Sequence, residues 1–105
     1  MNQGTQDAGL SITATGTTQG TAALLLNGLN GITTAASGSG VILFAANEGV
    51  SQLVFNGGAN AVKVYPPLGA QINGLGTNNA MTLATNSVCE FWFLSSTQVV
   101  ANLSA

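Results

Sequence analysis

A chain of 105 residues has room for one domain and one core, burying about two thirds of its unfolded surface. Only Asp7, Glu48, Lys63 and Glu90 carry charge, 4% of residues where globular chains carry about 25%. A single cation and a net charge of −2 argue against binding to nucleic-acid phosphates and equally against an anionic membrane surface. A surface built from Gly, Ala, Ser, Thr, Asn and Gln is cheap to desolvate, so the chain is expected to live in contact with other copies of itself or with another protein.

Residues 1–8, MNQGTQDA, lack periodicity and read as a flexible N-terminal arm, which leaves 9–105 as the domain. The basic and apolar regions of a secretory leader are missing there, and no apolar run reaches the ~18–20 residues of a membrane span. The lone Cys89 cannot make an intrachain disulfide, which fits synthesis in a reducing cytoplasm.

GLSITATG (9–16) alternates as a half-buried strand, with Leu10, Ile12 and Ala14 on one face. Residues 20–35 fit either a helical turn over 21–26 or two short strands, the second around Ile32–Thr34; the strands are preferred because Asn27-Gly28 and Asn30-Gly31 punctuate the stretch. GVILFAA (40–46) is continuously apolar, the mark of a strand covered on both faces.

VSQLVFN (50–56) and NAVKVY (60–65) flank Asn56-Gly57-Gly58 and read as a central hairpin, stopped by Pro66-Pro67. Alternation puts Lys63 and Tyr65 on the face opposite Val62 and Val64. A brief extended piece at Gln71-Ile72, a short strand MTLA (81–84), SVCEFWFL (87–94) and TQVVANL (97–103) complete the chain. In 87–94, Cys89, Phe91 and Phe93 share one face, and Val88, Glu90, Trp92 and Leu94 the other. About eight short strands at 8–12-residue spacing predict an all-β domain, a single antiparallel β-sandwich of jelly-roll type; no 20–50-residue repeat stands out.

Chemistry is scarce. With no histidine, no Ser-His-Asp or Cys-His constellation can be built, and no cluster has metal-ligand spacing. The glycines form neither a phosphate loop nor a dinucleotide fingerprint, so no cofactor is expected. Cys89, mid-strand among apolar residues, reads as an inert core thiol. Glu48 lies in an Asn-Glu-Gly turn where a solvated carboxylate is the default, so it makes a poor catalytic partner for Glu90; Glu90 is better matched to Lys63, across strands or across subunits. No catalytic residue is assigned. The candidate interface residues are Lys63, Tyr65, Glu90 and Trp92.

Three stretches, AGLSITATGTT (8–18), VFNGGANAVKVYPPLGAQING (54–74) and the aromatic strand followed by SSTQV (87–99), resemble the small β-domains of tailed-bacteriophage virion proteins, notably capsid decoration (cement) proteins. Val99 stands where such relatives often carry a Trp. The resemblance implies a jelly-roll or similar sandwich on the outer capsid surface, a homo-oligomer with a trimer favoured, and a major capsid protein as partner. The second expectation is a receptor- or glycan-binding module of a tail fibre or spike, with Trp92 and Tyr65 stacking on a sugar.

Overall fold

The apolar stretches become ten strands joined by Gly- and Asn-rich corners, with one 3-10 turn at Gln19–Thr21; the computed structural model describes residues 8–103. In chain order the strands are β1 (Ala8–Thr13), β2 (Ala23–Leu24), β3 (Leu29–Thr34), β4 (Gly40–Ile42), β5 (Ser51–Asn56), β6 (Val62–Tyr65), β7 (Gln71–Ile72), β8 (Met81–Leu83), β9 (Ser87–Phe93) and β10 (Gln98–Leu103). Residues 20–35 thus end the 3-10 turn and then supply two strands. Of the expected arm, 1–7 lie outside the described residues and Ala8 opens β1.

The first six strands are parallel. β1, β3 and β5 lie side by side in a six-stranded sheet of order β1-β3-β5-β9-β10-β7, and β2, β4 and β6 in a four-stranded sheet of order β2-β4-β6-β8. The chain lays one strand in each sheet and comes back one strand further along, a short β-solenoid of about four turns. This overturns the expected antiparallel jelly-roll sandwich. The coil period is visible in the register: Ala8 faces Leu29 and Leu29 faces Leu53, steps of 21 and 24 residues, while Ala23 faces Val41 and Val41 faces Val64, steps of 18 and 23. Steps that uneven leave no regular repeat for a sequence to display.

The central hairpin is corrected with the fold, because β5 and β6 lie in different sheets and 57–61 is a corner between them. Asn56 turns inward to build that corner. Its Oδ1 accepts the Gly58 N–H at 3.0 Å, and its Nδ2 donates to the carbonyls of Asn60 at 2.9 Å and Leu83 at 3.0 Å. Gly58 sits so close to Ala35 that an added Cβ would lie 2.7 Å from the alanine methyl. At the other end of β5, Gln52 Nε2 donates to the carbonyls of Leu25 and Asn27, and Asn30 Nδ2 donates to Asn27 and Leu53. All three amides are fully buried; the side-chain oxygens of Asn30 and Gln52 have no hydrogen-bond partner.

After β6 the strand directions become mixed, although β7 and β10 still run with β5. β8 runs antiparallel to β6 and β9 antiparallel to β5; β10 folds back on β9, and β7 adds in parallel at the far edge. One core fills the space between the sheets: Ile32, Val54, Cys89, Phe91, Phe93 and Val99 from the larger, Val41, Val62, Val64 and Leu83 from the smaller. At about 25 cal/mol per Å² this shared burial is the main stabilising term.

β1 departs from simple alternation. Its pairing with β3 slips between Gly9 and Ile12, so Ile12 reaches the core opposite Ile32 while Leu10, two residues earlier, is exposed. A bulge of this kind switches faces within one strand.

Candidate functional site

The outer surfaces of the two sheets differ. Across the four-stranded sheet, segment 15–21 acts as a strap: Thr15 bridges to Gly40, Tyr65 Oη donates to the Thr17 carbonyl at 3.2 Å, and Gln19 Nε2 donates to the Pro66 carbonyl at 2.9 Å and Asn78 Oδ1 at 3.1 Å. Tyr65 is therefore buried, at 8% exposure, its ring packed over Gly40, where a Cβ would come within 2.9 Å of it. Alternation does place Tyr65 outward with Lys63, but the strap removes it from the accessible surface. Lys63 remains exposed, between Val62 and Val64 that are fully buried, with small Gly40 and Thr82 as its register neighbours.

The larger sheet presents its side chains to the outside in three rows that follow from the register. Gly31, Phe55 and Val88 form one, with Leu10 lying over Gly31. Leu29, Leu53, Glu90 and Asn102 form the second, and Ser51, Trp92 and Val100 the third. Leu10, Phe55, Trp92 and Val100 are all exposed there, with Trp92 at 42%; Leu103, opposite Cys89 at the end of β10, is exposed as well. Glu90 is half-buried near the middle of this apolar face, and a shallow depression of about 180 Å³ opens beside it, walled by Leu53, Val88, Asn102 and Leu103. Small-molecule sites usually offer about 300–1,000 Å³. The depression suits one side chain rather than a ligand.

Of the four candidate interface residues, Glu90 and Trp92 lie together on this face, Lys63 lies on the opposite side of the molecule, and Tyr65 lies under the strap. Pairing of Lys63 with Glu90 across strands is ruled out by the register, which puts them in different sheets. Sequence reasoning missed Leu53, Phe55, Asn102 and Leu103. In β5 the inward row is Gln52, Val54 and Asn56, so two amides point into the core while Leu53 and Phe55 point away from it. That phase inverts the usual apolar-in pattern, so alternation could not reveal it.

Glu48 is exposed in the turn before β5, which the Val50 N–H closes on the Asn47 carbonyl and the Gly49 N–H ties to the Phe93 carbonyl. A second depression of about 380 Å³, between Ala46, Asn47, Leu68 and Thr97, has no titratable side chain in its lining. Among the described residues, no three His, Cys, Asp or Glu side chains gather as a metal site. Burial raises the Cys89 thiol from its ordinary 9.0 to about 11, desolvation being the main cause; the Glu90 charge adds to it and a backbone hydrogen bond from Asn102 opposes it. A thiol held protonated in this way is a poor nucleophile. No family model, curated protein or solved structure matches the chain.

Proposed function

We propose that this chain is a non-enzymatic structural protein of a virion, a capsid decoration protein that associates with further copies of itself and with a major capsid protein on the outer surface of the particle. One observation carries the reading: among the described residues, the outer face of the six-stranded sheet is apolar, uncovered and bears a single carboxylate. Strands about 4.8 Å apart and about 20 Å long make this face roughly 500 Å². Pressed against a similar surface it would bury about 1,000 Å² in total, the size at which specific association begins. With so few charges to strip of water, desolvation costs little. The virion assignment itself draws on the likeness of 8–18, 54–74 and 87–99 to phage decoration proteins; what carries over from it is the surface role and the absence of catalytic residues, not the jelly roll.

The exposed indole of Trp92, beside Val100, supports a second reading, a glycan-binding module of a tail fibre or spike. Tyr65 takes no part in such a platform because it is buried.

Native mass spectrometry at micromolar concentration, joined to localisation on purified particles, tests the proposal. An oligomer present in many copies over the capsid surface is expected. A stable monomer with no affinity for capsids would overturn it, and a few copies at the tail together with a hit on a glycan array would favour the second reading.

A further inference from the structure

Resting on the reading that copies of this chain associate, we propose that they do so head to tail, with Lys63 of one copy entering the depression beside Glu90 of the next. The chain has one cation, and the fold places it on the outer side of the four-stranded sheet. Glu90 sits on the outer side of the other sheet. The shared core lies between the two, so the pair cannot meet within one molecule but is presented for contact between molecules.

The two surfaces also match in shape and chemistry. Lys63 is exposed on the outer side of its sheet, with Gly40, under the Tyr65 ring, and Thr82 as its register neighbours. The depression has aliphatic walls in Leu53, Val88 and Leu103, with the Glu90 carboxylate and the Asn102 amide at its polar side. A lysine lays its methylene stem along apolar surface while its ammonium meets a charge or amide oxygen.

A two-fold contact between two copies of the larger sheet would do the opposite. β9 is the fourth of six strands, so two Glu90 carboxylates would be brought toward each other near the centre. Head-to-tail contact avoids that repulsion, and it yields a ring where the rotation between copies closes and an open row where it does not.

Charge reversal tests the contact on the full chain by sedimentation velocity over a concentration series. Lys63→Glu and Glu90→Lys should each weaken association by on the order of a hundredfold. An equimolar mixture of the two should reassemble, because the Glu90→Lys copy keeps a Lys63 for the Glu90 of its partner. The double variant should assemble alone. If either single variant fails to melt cooperatively, Lys63→Gln and Glu90→Gln replace them, with the smaller losses expected of neutralisation. Wild-type assembly that persists unchanged in both single variants overturns the head-to-tail contact and leaves self-association standing. Single variants that dissociate without rescue in the mixture or the double variant also overturn it, and a monomeric wild type overturns both readings.

Discussion

The buried amides show how differently two chemically similar residues can contribute. Asn56 uses both ends of its side chain, accepting from Gly58 and donating to Asn60 and Leu83, whereas Gln52 donates twice at 3.2 and 3.3 Å and leaves its oxygen unpartnered. A satisfied buried amide stabilises, while an orphaned buried oxygen costs about 1–3 kcal/mol and offsets what its nitrogen gains. Asn56→Leu should therefore cost about 2–4 kcal/mol in urea unfolding, and Gln52→Met about 1 kcal/mol or less. Cys89 gives a pH prediction. Its folded pKa of about 11 exceeds the ordinary 9.0, so above pH 9 the unfolded chain loses the proton first and stability falls as pH rises toward 11. The loss, of the order of 2 kcal/mol, should be absent from Cys89→Ala when the two proteins are compared at pH 8 and pH 10.5.

At the scale of elements, strand positions were legible and their partners were not. The stretches 50–56, 87–94 and 97–103 became β5, β9 and β10 nearly as read, and Cys89, Phe91 and Phe93 did turn inward together. Alternation reports which face a residue takes; it carries no information on whether the neighbouring strand runs parallel or antiparallel. Asn-Gly-Gly after β5 closes a hairpin in one context and turns a solenoid corner in another, and the choice was made by Leu83 and Ala35, far away in sequence, against which Asn56 and Gly58 fit. Edge strands lack charges to block further pairing, but they are blunted in other ways: β1 is bulged, and β2 and β7 are two residues long. The close approach of β4 and β6 is equally specific. An added Cβ at Gly40 would meet the Tyr65 ring at 2.9 Å and the Lys63 carbonyl at 3.0 Å. Gly40→Ala should cost roughly 1–3 kcal/mol in denaturant unfolding, because the backbone side of that contact cannot yield.

Over the whole molecule, the charge deficit in the composition pointed to association, and the structure supplies an apolar face that no described residue covers. Which face that would be was not legible. Composition has no direction, and the strap that hides Tyr65 depends on contacts from Gln19 to Pro66 and Asn78, 47 and 59 residues away. Trp92 separates the roles of surface and core. Since it lies outside the core cluster but pairs across strands with Ser51 and Val100, Trp92→Ala should lower the unfolding free energy of the isolated chain by only about 1 kcal/mol. The same substitution should weaken self-association by about 2 kcal/mol, read as a rise in the concentration at which oligomers form.

The antiparallel neighbour on the far side of β5 also sets how such a chain can lengthen. Between β1 and β6 the strands of each coil pair in parallel with those of the coils before and after, the strap alone reaching further. A duplicated segment 29–52 would slot between its parent and β5 with neighbours in its own direction on both sides. A copy placed beyond β5 would meet β9 running against it. Growth by duplication is open on one side of that boundary and closed on the other, so β5 marks the place where a repeating protein stops repeating.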